Sequence, residues 1–168
     1  MKRVLALFAV SAATFALADS KGPLVLIDAT GKVAARYFQS DVAMIEVDGG
    51  AAVPVPIENI LDPGAGGVLP NRLRWVLNYG QPTWSEPDCK GIAYTDPYVI
   101  VLGRASSVWM GTLYYAGDGP GHSVQTQSYG DSSSCFNIPS ASLSAYVVEG
   151  TIKLETVYPS PLRLGFGR

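Results

Sequence analysis

The apolar residues of this chain recur at every second position, and that spacing commits it to strands. In "RLRWVLNY" (72–79), Leu73, Trp75, Leu77 and Tyr79 alternate with Arg72, Arg74 and Asn78, the pattern of a strand with one face buried. "PLVLID" (23–28) meets "KVAARYF" (32–38) across Ala29-Thr30-Gly31, and "AMIEV" (43–47) and "AAVPVPI" (51–57) flank Asp48-Gly49-Gly50. An Asp-Gly between two apolar alternations is a strong hairpin signal, because its residues accept the left-handed backbone of a tight turn. Pro54 and Pro56 remove two donors from one side of their strand, which predicts a sheet edge. "YVIVLG" (98–103) is continuously apolar and reads as a central strand. "SVWMGTLYYAG" (107–117) and "HSVQTQSYG" (122–130) read as strands bracketing "DGPG", and "SAYVVEGTIKLETVY" (144–158) as two strands around Glu149-Gly150.

Between these runs lie glycine and proline turns, the longest being "LDPGAGGVLPN" (61–71). No segment reads as a helix, and no fixed-period repeat is present. The expectation is an all-β fold, an antiparallel β-sandwich or small barrel built from short hairpin-connected strands.

The first residues carry a different message. Met1-Lys2-Arg3 is a cationic head, "VLALFAVSAATFALA" (4–18) is apolar, and Ala16-Leu17-Ala18 is the small-x-small pattern that signal peptidases accept. The run is shorter than the ~20 apolar residues of a spanning helix. Residues 1–18 are therefore predicted to be a cleaved secretory signal, and 19–168 a single β-rich domain that is secreted or periplasmic and has no membrane association after cleavage. Cleavage removes two of the 12 basic residues and leaves ten against 14 acidic ones. That mild negative balance, without a Lys/Arg cluster, argues against nucleic acid as a partner.

Export fixes the reading of the cysteines. There are two, Cys89 in "WSEPDCKGIAY" (84–94) and Cys135, and an oxidising compartment pairs such thiols. A zinc site would need further ligands, and a catalytic thiolate a base, yet His122 is the single histidine. A structural disulfide between Cys89 and Cys135 is predicted.

The search for catalytic chemistry is mostly negative. "GHSVQ" (121–125) has Gln125 where a nucleophile elbow needs its second glycine, and "GAGG" (64–67) precedes no helix that could hold a phosphate. Asp28, Asp48, Asp62, Asp88, Asp96, Asp118 and Asp131 are scattered singly, where an aspartate side chain commonly bonds its own turn. Two of them could converge as a glycosidase-like pair, and one such as Asp118 could take calcium, although no spaced Asp-x-Asp-x-Asp cluster occurs. No cofactor is implied. Among the aromatics, alternation places Trp75 in the core, whereas Trp84 stands between Pro82 and Ser85 in turn-rich sequence and is expected at the surface. Trp84, Trp109, Tyr114 and the loop residue His122 form the candidate binding surface, with Tyr115 a further aromatic nearby.

"LVLIDATGKVAARYF", "DCKGIAY", "YYAGDGPG…SYGDSSSCF" and the closing "YPSPLRLGF" together resemble an uncharacterised bacterial secreted β-domain. Domains of that kind follow collagen-like Gly-x-y repeats or sit in tail-fibre-like proteins, and the likeness spans most of residues 24–166. No Gly-x-y repeat is present here. The resemblance implies that both cysteines recur, in keeping with the pairing above, and it carries over no catalytic residue. Two functions follow. The first is an exported non-enzymatic binding or structural module for surface interaction or adhesion, with a glycan or protein ligand. The alternative is an extracellular polysaccharide hydrolase using paired turn carboxylates.

Overall fold

The structure, a computed structural model, describes residues 22–47, 50–96, 99–101 (backbone) and 104–167. The signal predicted at 1–18, Asp48-Gly49 of the predicted second turn, and Tyr98, Leu102 and Gly103 lie outside the described residues. Within them the fold is all β. Thirteen strands form two antiparallel sheets, with a single short helix, α1 (Leu154–Val157).

The first sheet is nearly a barrel. β1 (Leu24–Ile27), β2 (Val33–Gln39), β3 (Val42–Val47), β4 (Ala51–Leu61) and β5 (Val68–Trp75) follow one another as a meander. β13 (Arg163–Phe166) pairs with β1 on the far side, giving the order β13-β1-β2-β3-β4-β5. Leu73 and Leu162 then exchange backbone hydrogen bonds of 2.9 and 2.7 Å across the seam, and the Asn71 side chain accepts from the Leu164 amide at 2.6 Å. Pairing the last strand with the first removes the sheet edges that would otherwise expose unpaired N–H and C=O groups. Both ends of the described chain meet at this barrel, where the Gly167 amide donates to the Pro23 carbonyl at 2.8 Å. The approach is so close that a side chain at Gly22 would lie 1.9 Å from the Gly167 carbonyl oxygen.

Every second residue of these strands fills the barrel. Leu26, Ile45, Val53, Val55 and Leu73 are buried with Trp75, whose indole N–H donates to the Tyr158 carbonyl at 2.8 Å. The buried indole thus has its one polar atom satisfied.

The second sheet has the order β11-β6-β7-β12-β10-β9-β8, with β11 also paired to β12. Its members are β6 (Pro82–Glu86), β7 (Lys90–Thr95), β8 (Val99–Val101), β9 (Arg104–Trp109), β10 (Thr112–Ala116), β11 (His122–Asp131) and β12 (Ser134–Lys153). Val108 and Leu113 join the barrel core, so one apolar interior runs through both sheets. Tyr79 and Val108 exchange backbone hydrogen bonds of 2.7 and 2.9 Å between them.

Four local expectations are corrected. β4 is interior, lying between β3 and β5, rather than an edge. Its prolines sit where β5 is not paired with it: the Pro56 carbonyl accepts from the Val76 amide and the Pro54 carbonyl from the Ser106 hydroxyl. The missing donors therefore cost no ladder bond. β8 is at the sheet edge instead of the centre, and its apolar run lies near β4 of the barrel. Residues 107–117 are two strands, turned at Met110 and Gly111 with φ of 47° and 76°, the left-handed pair of a two-residue hairpin. Conversely, β12 continues as one strand through Glu149-Gly150, with a bulge at Glu149 in its pairing with β10. Gly150 marks close packing there, since a Cβ at this position would lie 2.3 Å from the Tyr115 hydroxyl.

Candidate functional site

The β10–β12 register decides what this sheet offers on its outer face. Thr112 stands opposite Lys153 and Tyr114 opposite Thr151, so these four side chains share one face. Leu113 and Ile152, the pair between them, point to the core. The four form the floor of an open groove of about 670 Å³. Its walls are the Met110-Gly111 turn, Trp84 of β6, the β11–β12 turn at Asp131–Ser133, and Glu155 of α1.

The groove brings together two of the four candidate surface residues. Trp84 is half-buried rather than freely exposed, because its indole N–H is fixed to the Gly130 carbonyl at 2.8 Å. Tyr114 lines the groove with only 7 % of its surface exposed, and its hydroxyl makes no hydrogen bond among the described residues. Burial, and then the negative charge of Asp131, raise its pKa above the ordinary 10.0, so it stays a protonated donor.

Asp131 is built into its turn. Its Oδ1 accepts from the Ser133 hydroxyl at 2.7 Å and from the Ser133 and Ser134 amides at 2.9 Å each. Burial pushes the carboxyl upward, but these hydrogen bonds outweigh it and hold the pKa below the ordinary 3.8. The group is an ionised acceptor whose Oδ2 makes no hydrogen bond among the described residues. Glu155, the other groove carboxylate, is occupied on both oxygens by the Ser160 amide and hydroxyl at 2.8 and 2.7 Å. Lys153, the groove's one cation, makes no ion pair among the described residues.

The disulfide lies beside this groove. Cys89 and Cys135 are bonded, with Cα atoms 5.9 Å apart, and Cys89 lines the groove wall. The Pro87–Cys89 turn carries two non-glycine residues in the left-handed region, Asp88 at φ 59° and Cys89 at φ 53°. Such a backbone persists only where its surroundings hold it. Here the Asp88 amide donates to Asn137 Oδ1 at 2.6 Å and the Cys89 amide to the Ser128 hydroxyl at 3.0 Å, while the disulfide ties the turn to β12.

The other two candidates stand apart. Trp109 lies opposite Thr112 on β9 but does not line the groove, and its buried indole N–H has no partner among the described residues. His122 is exposed at the start of β11 and lines a separate cleft of about 320 Å³ with Asp118, Tyr146 and Glu149. Eight residues of β11 lie between it and Asp131, roughly 30 Å of extended chain. Asp118 is ion-paired with Arg104, and among the described residues no group of three or more His, Cys, Asp or Glu gathers to hold a metal ion. Asp28 and Asp62, like Asp131, bond the backbone of their own turns. Among the described residues the one carboxyl with a raised pKa is Asp96, lifted by burial outside the groove.

Sequence reasoning missed Thr112, Thr151 and Lys153, since only the β10–β12 register reveals that they share a face with Tyr114. It named Asp131 only as one of seven turn aspartates. Comparison of the chain with protein-family models, with curated proteins and with solved structures finds no match.

Proposed function

We propose that this chain is an exported, non-enzymatic binding module, and that the groove between β10, β12 and the β11–β12 turn is its ligand site. The observation that carries this reading is Tyr114, whose ring is almost buried while its hydroxyl opens onto the groove beside an ionised Asp131 and makes no hydrogen bond among the described residues. A fixed donor and a fixed acceptor converging in a concave site, with apolar side chains beside them, suit a ligand. The signal-like residues 1–18, the disulfide and the resemblance to secreted β-domains support an extracytoplasmic surface setting.

The hydrolase alternative has less support. An acid–base pair needs one carboxyl kept protonated near neutral pH. Asp131 is shifted the opposite way, and the hydrogen bonds of Glu155 engage both of its oxygens.

The test is a glycan and surface-protein screen on the oxidised chain 19–168, run beside a reducing-end release assay on extracellular polysaccharides. Saturable binding that Thr151→Arg abolishes, without product release, is the expected result. Release of reducing ends that Asp131→Asn abolishes would establish the hydrolase instead.

A further inference from the structure

We infer that the ligand of this groove is a neutral saccharide, seated with ring hydroxyls between the Tyr114 hydroxyl and Asp131. The inference rests on the reading of the groove as a ligand site and names its chemistry.

The polar groups are of both kinds and close together. Among the described residues, Tyr114 is a protonated hydroxyl with no hydrogen bond of its own, and Asp131 accepts through Oδ1, with no hydrogen bond to Oδ2. Thr112 and Thr151 add hydroxyls on the same face, each able to donate and accept. A run of donors and acceptors at strand spacing matches adjacent hydroxyls on a ring, each of which also donates and accepts. The apolar contribution comes from Trp84, Leu77 and Met110. Amphipathic surfaces of this mixture suit a ring with C–H faces and a polar rim.

Other ligand classes fit less well. An extended peptide binds by adding a strand to an unpaired edge. The groove floor is instead a sheet face, presenting the side chains of Thr112, Tyr114, Thr151 and Lys153 rather than backbone donors and acceptors. An anionic polymer would bring negative charge beside Asp131 and Glu155 against the single ammonium of Lys153. The volume of about 670 Å³ falls within the ~300–1,000 Å³ typical of small-ligand sites.

The experiment follows backbone amide shifts of the oxidised chain 19–168 titrated with mannotetraose, cellotetraose, galactotetraose and chitotetraose, and with tetragalacturonate as the acidic probe. At least one neutral tetramer is expected to shift the amides of 112–114, 131–133 and 151–153. Tyr114→Phe and Asp131→Asn should each weaken its binding about tenfold, the effect of losing one good hydrogen bond. Tyr114→Phe removes a single oxygen and Asp131→Asn keeps an acceptor for the turn, so both variants retain the fold, which their amide dispersion checks. Four results overturn the inference: no shift with any neutral tetramer, shifts confined to other residues, shifts with tetragalacturonate alone, or unchanged affinity in both variants. If a ligand that is not a saccharide binds and Thr151→Arg abolishes that binding, the groove remains a ligand site and only its chemistry falls. Binding that Thr151→Arg leaves intact removes the site itself.

Discussion

The indole N–H of Trp84 donates to the backbone carbonyl of Gly130 at 2.8 Å, 46 residues away in sequence. That contact fixes the tryptophan of the groove to a glycine held at φ 103°, where a Cβ would lie 2.0 Å from the Ser134 carbonyl oxygen.

Gly130→Ala should therefore be costly. It adds left-handed strain to a clash with backbone that cannot move aside, a loss of about 3 kcal/mol. Gly150→Ala is the contrast, because its Cβ meets only the Tyr115 side chain, so a ring rather than the main chain must give way. Urea denaturation of the two variants should rank Gly130→Ala well below Gly150→Ala, and equal midpoints would refute the argument.

Removing the disulfide should destabilise the fold without dissolving it. Closing a loop of 46 residues is worth at most ~4 kcal/mol in the chain-entropy account. Cys89→Ser and Cys135→Ser should lower the melting temperature to the same extent, since each loses the same bond. Thiol titration of the unfolded, unreduced wild type should find no free thiol.

Trp75→Leu should cost about 3 kcal/mol, because it opens a cavity in the barrel and leaves the Tyr158 carbonyl without its 2.8 Å donor. Guanidinium unfolding measures the loss, and a change under 1 kcal/mol would mean that the barrel interior can repack around the smaller side chain.

Acid should weaken the fold through Asp28 and Asp131. Burial raises the Asp28 carboxyl, but hydrogen bonds from the Thr30 hydroxyl and the Thr30, Lys32 and Gly31 amides outweigh it, leaving the pKa below the ordinary 3.8. A depressed folded-state value means that the unfolded chain takes up the proton first. The stabilisation is complete well above pH 3.8 and is lost as pH falls through the folded pKa. Asp28→Asn should cost about 1–2 kcal/mol at neutral pH and flatten the acid limb of the stability curve. An acid limb as steep as the wild type's would assign the effect to other carboxylates.

The hairpins could be read from the residues because their turns are chemically explicit: Thr30-Gly31 and Gly50 supply the backbone that a tight turn needs, and Gly31 and Gly50 have φ of 91° and 78°. The Met110 turn was hidden because methionine seldom accepts φ 47°, and Glu149-Gly150 misled because a glycine that admits Tyr115 looks like a glycine that turns the chain. Trp84 and Tyr114 could be named as surface candidates from their composition and setting. Their convergence with Asp131, Thr151 and Lys153 depends on strand register and on a β12 strand that serves three partners in succession, which local pattern does not encode.

The hydrogen bond between Gly167 and Pro23 makes the order of the strands along the chain a convention. A short link from 167 back to 22 would turn the barrel into a continuous loop of backbone, which could then be cut at the exposed Gly64–Gly67 tip between β4 and β5. β5 would then open the sequence and β4 would close it, with every sheet neighbour unchanged. What specifies this molecule is a cyclic sequence of pairings, and a protein engineer could choose its first residue.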